Sequence, residues 1–303
     1  MPRIYITNIV PKLAASSLRK RGFEVEMNES GNPLSPEQLK KVLSKYDGII
    51  SSVSDKIDDQ IIKSAGPDLK VIANYAVGFD NIDVLAAKRK GIVVCNTPGV
   101  AGDAVAEHTF ALILATLKNI VEGDKYVRRG KYKVWDAMLY VSPRLWGKKI
   151  GIVGLGRIGT YVGQIAYGGF KMDVMYNDMQ RSEDFEMLTE AKFCSLEHIL
   201  KEADVVSLHV PLTPQTRHLI GRAELNLMKE TAVLVNTARG AVVDQDALID
   251  ALRAKKIAGA GLDVFEHEPR IPHELTTLGN VVLTPHTASA TLECREEMAE
   301  IAS

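Results

Sequence analysis

The sequence predicts an α/β protein of two domains, each built around a parallel β-sheet that helices cover on both faces. Strand and helix patterns alternate over the first hundred residues, and a second alternating series begins near residue 150. A glycine-rich turn between a strand and a helix, at 154–159, opens this second series in the middle of the 303-residue chain. Because this second domain starts so late in the chain, the residues before it must form a separate first domain.

The first series is predicted to contain five strands, each a short apolar run bounded by turn residues. They lie at 3–7, 23–27, 48–52, 69–74 and 92–96. Helical patterns separate them at 14–21, 36–44, 60–65 and 84–90, and Ser35 is placed to cap the second of these helices. Such alternation is typical of a parallel sheet.

A long helical pattern rich in alanine and leucine is predicted over 103–128, followed by an irregular aromatic stretch at 130–146. The second series has predicted strands at 150–153, 173–176, 205–210, 232–236, 257–263 and 281–283. Its helices are predicted at 157–166, 196–202, 222–228 and 245–255, and a last helical pattern at 288–303 is expected to return to the first domain. Six strands in this order fit a doubly wound sheet.

The segment 154–159 has the spacing G-x-G-x-x-G at the end of a predicted strand. Gly154 permits the tight turn, Gly156 lets the backbone approach a pyrophosphate, and Gly159 allows the helix to pack on the strand. The amides at the helix start, at Arg157 and Ile158, then face the phosphates. The pattern predicts a dinucleotide-binding domain of the Rossmann type, and a turn without a ligand is the alternative.

The next predicted strand ends at Asp178, at the distance from the glycines where a carboxylate binds the adenosine ribose. A carboxylate there accepts hydrogen bonds from a free ribose diol and repels a 2′-phosphate. The sequence therefore predicts NAD(H) as cofactor in preference to NADP(H). Arg181 is the nearest residue that could weaken this preference, and it is interpreted as a solvated charge.

The position of the glycine fingerprint also predicts the domain limits. Residues 1–99 and 286–303 are assigned to a substrate domain, and residues 100–285 to the NAD-binding domain. The chain then crosses between the domains near 97–101 and 284–287, and these two crossings are expected to form a hinge. A cleft between domains is a common place for a ligand, so the substrate is expected there.

Three polar residues follow predicted strands of the second domain: Arg239, Glu268 and His286. Ligands of open α/β sheets lie beyond the carboxyl ends of the strands, so all three are expected near a nicotinamide ring. A guanidinium binds a carboxylate and polarises a carbonyl, an imidazole transfers a proton, and a neighbouring carboxylate favours the protonated imidazole. Each residue alone is more often a surface or structural residue. Together, beside a dinucleotide site, they indicate hydride transfer to a 2-keto acid.

Composition and charge exclude several classes of protein. Thirty-seven basic and 38 acidic residues leave a net charge of −1, and no basic tract indicates nucleic acid. The N-terminus lacks the pattern of a signal peptide, and no apolar run is long enough to span a membrane. Cys95, Cys194 and Cys294 form no C-x-x-C pair and are expected to be reduced and mostly buried, as in a cytoplasmic protein. His267 and His273 lack partners at metal-site intervals, which predicts a metal-independent enzyme.

Several segments together resemble the D-isomer-specific 2-hydroxyacid dehydrogenase family over nearly the whole chain. They are 154–159, 209–213 with Thr216, 236–240, 261–265, 268–269 and 284–286. The resemblance implies a Rossmann domain inserted into a flavodoxin-like substrate domain. It also implies that Arg239 binds the substrate carboxylate and carbonyl, that His286 is the acid/base, and that Glu268 pairs with it.

The resemblance further implies residues that contact the cofactor and the substrate. Asp263 is expected to hold the nicotinamide carboxamide. Besides the fingerprint and Asp178, cofactor contacts are expected at Val210, Pro211, Thr216, Thr237, Ala238, Arg239 and His286. The loop at 74–83 resembles one whose amides hold the substrate carboxylate, which indicates Val77 and Gly78. A glycine there also suits close approach to a small anion, and a plain turn is the alternative.

The loops at 76–81 and 96–100, with Asp103, look most like the glyoxylate and hydroxypyruvate reductase branch. The expected reaction is therefore reduction of such a 2-keto acid to the D-2-hydroxy acid. A D-3-phosphoglycerate or other D-2-hydroxyacid dehydrogenase is one alternative, and a non-catalytic NAD-sensing scaffold like the family's corepressors is another. Glu268 argues against a formate dehydrogenase.

Three further expectations concern assembly and completeness. The resemblance alone implies a homodimer formed through the helix at 103–128. The segment 135–140 is interpreted as packing residues, in preference to a rim of the substrate pocket or a dimer contact. Part of the C-terminal segment that returns to the first domain is expected to be missing.

Overall fold

The computed structural model describes residues 1–303, which fall into two compact units. Unit 1 comprises Met1–Ala101 and Ala290–Ser303, and unit 2 comprises Gly102–Ser289. Unit 1 contains a five-stranded sheet and unit 2 a seven-stranded sheet, and every strand pairing is parallel. The predicted α/β fold class is thereby confirmed. The hinge predicted at the chain crossings stays a prediction, and the segment 284–287 lies within unit 2.

Unit 1 has its strands at β1 (Arg3–Ile6), β2 (Glu24–Met27), β3 (Gly48–Ser52), β4 (Val71–Tyr75) and β5 (Val93–Cys95). Their order in the sheet is β2-β1-β3-β4-β5, which is that of flavodoxin-like folds. The helices of this unit are α1 (Lys12–Lys20), α2 (Pro36–Lys45), α3 (Asp59–Lys63), α4 (Val84–Arg89) and, at the C-terminus, α13 (Leu292–Ala302).

Local sequence signals explain how elements of unit 1 begin and where they pack. Ser35 begins α2 with a capping box: its hydroxyl accepts from the Gln38 amide at 3.2 Å, and the Gln38 side chain accepts from the Ser35 amide at 2.8 Å. The C-terminal helix α13 packs on α1 and β4, where the Tyr75 hydroxyl donates to the Arg295 carbonyl at 2.6 Å. The last segment of the chain is therefore part of unit 1.

Unit 2 has its strands at β6 (Lys149–Val153), β7 (Asp173–Asn177), β8 (Lys192–Phe193), β9 (Val205–Leu208), β10 (Val233–Asn236), β11 (Gly259–Leu262) and β12 (Val281–Leu283). Their order, β12-β11-β10-β9-β6-β7-β8, is that of a doubly wound sheet. The sequence predicts six of these seven strands. It misses β8, because an edge strand of two residues is too short to show a periodic pattern.

The helices of unit 2 are α5 (Gly102–Leu117), α6 (Ile120–Arg128), α7 (Arg157–Phe170), α8 (Glu183–Thr189), α9 (Leu196–Glu202), α10 (Arg222–Leu227), α11 (Gln245–Arg253) and α12 (His273–Thr276). The single helix predicted over 103–128 is wrong. Asn119 has a left-handed backbone, with φ of 51°, and the chain bends by 62° between α5 and α6. Asparagine adopts this conformation more readily than most residues. No single helix is long and apolar enough to cross a membrane, although the bent α5–α6 pair meets the same test of length and composition.

Apolar side chains on both faces of the unit 2 sheet form its core. Phe110 and Ile113 of α5 and Val162 of α7 are buried in one cluster, and α9, α10 and α11 contribute to a second. The strands run in register, so that Asn236 of β10 pairs with Leu262 of β11, and Leu262 pairs in turn with a residue of β12. Because parallel strands end at the same edge of a sheet, the loops after β10, β11 and β12 emerge side by side.

Two interpretations of apolar residues in the sequence are wrong. Trp135 does not pack in a core, because 75% of the residue is exposed, and the nearby Tyr140 lies only at the surface, edge-on to Tyr126 at 6.1 Å between ring centroids. The cysteines form no disulfide bond, but only Cys294 is buried, and Cys95 is exposed. Residue type predicts burial only on average. Neither the segment 135–140 nor the surroundings of the cysteines has a periodic pattern that would indicate a buried face.

Candidate active site

His286 and Glu268 form a hydrogen-bonded pair on the loops that follow β12 and β11. Nδ1 of His286 lies 2.8 Å from Oε2 of Glu268, and Oε1 of Glu268 accepts a hydrogen bond from the Phe265 amide at 2.9 Å. The backbone bond holds the carboxylate, and the carboxylate orients the imidazole. Because Nδ1 is engaged, Nε2 is the ring nitrogen left for exchanging a proton with a substrate. The side chains remain 28% and 34% exposed, so a ligand can reach them.

The buried Asp263 anchors the loop that carries this histidine. Its Oδ1 accepts from the Thr284 hydroxyl at 2.7 Å and from the Thr287 amide at 2.8 Å. Its Oδ2 accepts from the Ala288 amide at 2.8 Å. Burial by itself raises the pKa of Asp263, but hydrogen bonds from His108, Thr284 and the two amides lower the pKa below its ordinary value. The contact of Asp263 with a nicotinamide carboxamide stays a prediction.

Helix α5 braces two of these loops through residues that the sequence does not identify. Nε2 of His108 lies 2.9 Å from the Thr284 hydroxyl oxygen and 3.5 Å from Oδ1 of Asp263. The Thr109 hydroxyl lies 3.1 Å from the hydroxyl of Thr237, in the loop after β10. No motif could reveal these contacts, because the partners are 176 and 128 residues apart in the chain. His108 and Thr109 therefore support the site from a neighbouring element.

Arg239 lies in the loop after β10, which Asn236 holds in place. The Asn236 side chain donates to the Arg239 carbonyl at 2.9 Å and accepts from the Ala238 amide at 3.0 Å. The backbone then runs directly against the loop of Glu268: a Cβ on Gly240 would lie 1.9 Å from the carbonyl carbon of Phe265, so only glycine fits there. The structure thus brings the backbone of the arginine loop next to the segment that holds the His286–Glu268 pair.

The glycine-rich turn has the geometry that a pyrophosphate requires. Gly154 has φ of 96°, and a Cβ there would come within 2.8 Å of the His209 carbonyl carbon. A Cβ on Gly159 would lie 2.2 Å from the Gly154 carbonyl oxygen, so helix α7 packs tightly on the turn. A Cβ on Gly156 would meet no atom within 4 Å, which leaves open space beside the first turn of α7. No side chain caps α7, so its first amides can bind an anion. These residues fit a dinucleotide.

Asp178 follows β7, where it contacts the glycine-rich turn. Its Oδ2 accepts from the Leu155 amide and its Oδ1 from the Met179 amide, both at 2.6 Å. Oδ1 also accepts from the Gln180 amide at 3.4 Å, so Oδ2 is the oxygen with a lone pair left to accept a bond from a ribose hydroxyl. Asp178 and Leu155 line a cavity of about 600 Å³. The interpretation of Arg181 as a solvated charge needs correction: the side chain is exposed, but it is paired with Glu186 at 2.6 Å.

The segment after β9 lies against the same turn. Cγ1 of Val210 is 2.9 Å from the position that a Cβ on Gly154 would take. The Thr216 hydroxyl donates to the Pro211 carbonyl at 2.6 Å and accepts from the Thr213 amide at 2.8 Å, which closes a compact turn. Val210, Pro211 and Thr216 therefore lie on a segment next to the fingerprint. Their contacts with a cofactor stay predictions.

His209, at the start of this segment, is a partly buried histidine that stays neutral. One ring nitrogen, Nε2, lies 2.8 Å from the Ser207 hydroxyl oxygen, and the other, Nδ1, has no hydrogen-bond partner in the protein. Burial lowers the pKa of His209 from 6.5 to about 3, because a charged imidazole would lose its hydration there. His209 thus cannot act as an acid near neutral pH.

In unit 1, the loop after β4 has two amides without an acceptor. The carbonyl of Val77 accepts from the Asn96 side chain at 2.7 Å, and the carbonyl of Gly78 accepts from the Asn74 side chain at 2.8 Å. The amides of Val77 and Gly78 donate to no acceptor in the protein. Two adjacent free amides suit a small anion such as a carboxylate.

No group of three or more histidine, cysteine, aspartate or glutamate side chains in the protein is arranged to hold a metal ion.

One family model and many known proteins are similar to this chain. The model of the D-isomer specific 2-hydroxyacid dehydrogenase, NAD binding domain, matches residues 110–288. A glyoxylate reductase of Pyrococcus furiosus is 47% identical over 304 residues, which cover 99% of this chain and 90% of the relative. The TT0316 protein of Thermus thermophilus has a crystal structure with a TM-score of 0.92 at 45% identity, covering 99% of this chain and 94% of that one. An NADPH-dependent glyoxylate/hydroxypyruvate reductase of Sinorhizobium meliloti, solved with NADP and malonate, has a TM-score of 0.86 at 30% identity, covering 99% and 91%.

The burial of His209 predicts a loss of stability in mild acid. As the pH falls below about 6.5, the unfolded chain binds a proton at this histidine while the folded chain does not, so folding becomes less favourable by about 2 kcal/mol between pH 7 and pH 5. Urea unfolding followed by far-UV circular dichroism measures this loss. The variant His209→Asn should lose less stability over this range. An imidazole of His209 that titrates near pH 6 by NMR would contradict the prediction.

Proposed function

The chain belongs to the D-isomer-specific 2-hydroxyacid dehydrogenase family, and on that premise we propose that it reduces a small 2-keto acid with NADH. The product is the corresponding 2-hydroxy acid, of the D configuration where it is chiral. The observation that carries this proposal is the His286–Glu268 pair, joined at 2.8 Å on loops that lie against the loop of Arg239. An acid/base pair beyond the carboxyl ends of a sheet that also carries a dinucleotide turn is an arrangement that suits carbonyl reduction.

His286 is the proposed acid/base. In the direction of reduction, its Nε2 donates a proton to the carbonyl oxygen of the substrate as negative charge develops there. Glu268 accepts the hydrogen bond from Nδ1, so the imidazole is oriented before the proton moves. In the reverse direction the neutral ring takes the proton from the hydroxyl. Asp263 takes no part in the proton transfer; it anchors the loop that carries the histidine.

Arg239 and the amides of the loop after β4 are the proposed carboxylate ligands. A guanidinium can bind a carboxylate through two parallel hydrogen bonds and can also polarise the adjacent carbonyl. The amides of Val77 and Gly78, which have no acceptor in the protein, are proposed as neutral donors to the substrate carboxylate. Proton donor and carbonyl polariser both come from side chains, so the proposed mechanism needs no metal ion.

The glycine-rich turn and Asp178 are the proposed cofactor ligands. The turn 154–159 would hold the pyrophosphate, and Asp178 would accept bonds from the ribose diol. Contacts along the rest of the cofactor are proposed for Val210, Pro211, Thr216, Thr237, Ala238, Arg239, Asp263 and His286. When bound, NADH supplies the hydride that the side chains of this site cannot provide.

Glyoxylate and hydroxypyruvate are the proposed substrates. The support is the 47% identity to a glyoxylate reductase over 99% of this chain, together with the resemblance of the loops at 76–81 and 96–100 to that branch. A D-3-phosphoglycerate dehydrogenase is the nearest alternative reaction, and a non-catalytic NAD-sensing scaffold is the alternative of another class.

A panel of 2-keto acids tests the proposed reaction. The protein should oxidise NADH with glyoxylate and hydroxypyruvate at higher kcat/KM than with pyruvate or 3-phosphohydroxypyruvate. Preference for the phosphorylated acid would favour the alternative dehydrogenase. Tight NADH binding without oxidation by any acid would favour the scaffold.

The variant His286→Gln tests the role of the histidine within the same assay. Its kcat should fall by about a thousandfold, because general acid catalysis contributes on the order of 10² to 10⁴ in rate, while its Kd for NADH stays within about twofold. His198→Gln, which alters an exposed histidine on α9, is the matched control and should keep full activity. Loss of NADH binding in His286→Gln would show that the histidine is structural.

Asp178 generates a prediction about cofactor preference. The wild type should have a higher kcat/KM with NADH than with NADPH, and Asp178→Asn should reduce that ratio by about tenfold, because a neutral amide no longer repels the 2′-phosphate. Glu197→Gln removes a carboxylate on α9 as a control and should leave the ratio unchanged. A wild type that prefers NADPH would contradict the proposed role of Asp178 in cofactor preference.

We also propose a cytoplasmic homodimer. Cysteines without disulfide bonds suit a reducing compartment. Helix α6 buries none of its residues, and the segment that follows it exposes Trp135 and Met138, each 75% accessible. Exposed apolar residues in this number are typical of a protein–protein interface, and a second copy of the chain is the proposed partner.

The double variant Trp135→Glu and Met138→Glu tests this interface. It should convert a dimer into a monomer in light scattering coupled to size-exclusion chromatography, because two buried carboxylates oppose association. Leu292→Glu alters an equally exposed apolar residue of unit 1 and should leave the dimer intact. A monomeric wild type at micromolar concentration would contradict the proposal.

A further inference from the structure

One cation faces the cavity at the end of β7, among several acids. The residues that line this cavity include Asp178, Glu183 and Asp184, and Arg181 is their only positive side chain. Under the proposed function this is where the adenosine ribose lies, and the 2′-phosphate is the one group there that distinguishes NADPH from NADH. Arg181 is therefore the side chain on which binding of a 2′-phosphate would depend.

Arg181 is engaged by Glu186 through one whole edge of its guanidinium. Nε lies 2.8 Å and 3.0 Å from the two carboxylate oxygens of Glu186, and Nη2 lies 2.6 Å from Oε2. This is the bidentate geometry that an arginine would otherwise offer to a phosphate. The glutamate side chain is 15% exposed and the arginine side chain 61%, so the arginine lies at the surface and the glutamate beneath it.

Buried groups fix Glu186 in this position. The Tyr176 hydroxyl donates to Oε1 of Glu186 at 2.7 Å and accepts from the Ser182 amide at 2.8 Å. The Tyr176 ring is fully buried and packs edge-on against Phe185. Hydrogen bonds from Arg181 and from Tyr176 lower the pKa of Glu186, so the carboxylate is charged at neutral pH. The glutamate cannot leave the arginine without abandoning these bonds.

We propose that Glu186 is a specificity-determining residue that excludes NADPH by occupying Arg181. A 2′-phosphate would have to displace a carboxylate that is already bidentate and anchored, and would meet its charge as well as that of Asp178. The inference rests on the proposed preference for NADH and adds a second contribution to it. Glu186 does not line the cavity, so it acts through the arginine.

Two small ligands isolate this contribution from catalysis. Adenosine 5′-monophosphate and adenosine 2′,5′-bisphosphate differ only in the 2′-phosphate, and calorimetry on the full chain gives the Kd of each. Glu186→Gln removes the charge but keeps an acceptor oxygen for Tyr176. It should tighten binding of the bisphosphate, and of NADPH, by about threefold to tenfold, the range expected for a partly exposed ion pair. Binding of the monophosphate and of NADH should stay within about twofold.

Arg181→Gln completes the test. Alone it should change the Kd of the bisphosphate little, because the arginine is already occupied, but in the Glu186→Gln background it should abolish the gain. Glu190→Gln is the matched control, since Glu190 also accepts from a tyrosine hydroxyl, that of Tyr167 at 2.8 Å, outside the cavity. If Glu186→Gln does not fold, Tyr176→Phe should produce a smaller gain in the same direction.

The outcomes separate this inference from the proposed function. Equal weakening of both ligands in Glu186→Gln would show a merely structural role, and no change in either would show that the arginine is not withheld; each overturns the inference. A wild type that binds the bisphosphate more tightly than the monophosphate would instead overturn the proposed preference for NADH.

Discussion

The buried Asp263 carboxylate is the interaction on which the geometry of this site depends. Removing a carboxylate from water costs several kcal/mol unless donors replace the lost hydration. Here the Thr284 hydroxyl and the amides of Thr287 and Ala288, which belong to one loop, donate to the carboxylate, and His108 on α5 is a fourth donor. Three of the four donors are in place only when that loop closes over the acid, so burial of Asp263 favours an ordered loop. His286 lies in the middle of the segment that is ordered in this way.

The same strand end also orients the histidine ring. His286 has a left-handed backbone with φ of 54°, which costs about 1 kcal/mol for a residue with a side chain, and its amide donates to the Asp263 carbonyl at 2.8 Å. The ring bonds to Glu268, whose carboxylate accepts from the Phe265 amide. The segment after β11 thus supplies both the acid that anchors the loop and the acid that aims the imidazole. His286, the proposed proton donor, is restrained through both its backbone and its ring. It therefore needs little reorganisation when a substrate binds.

How much of this could be predicted depends on the sequence distance over which each feature is encoded. The glycine turn, the strand ends and the trio Arg239, Glu268 and His286 are local patterns, and the sequence identifies them. The support from His108 is invisible, because its partner Thr284 is 176 residues away. The bend at Asn119 is missed for another reason: apolar residues continue on both sides of it, so composition shows one helix where the backbone makes two.

Under the proposed function, selectivity between the two nicotinamide cofactors arises at the end of β7, for a physical reason. The amides at the start of α7 face a pyrophosphate, which both cofactors share, so the fingerprint cannot discriminate between them. Only the 2′ position differs, and the side chains around the cavity there are mostly acidic. A like charge repels at any orientation, whereas an arginine attracts only if its donors are free to turn toward the phosphate. Asp178 would therefore disfavour NADPH by charge repulsion. The pairing of Arg181 with Glu186 would disfavour it by occupying the donors of the arginine.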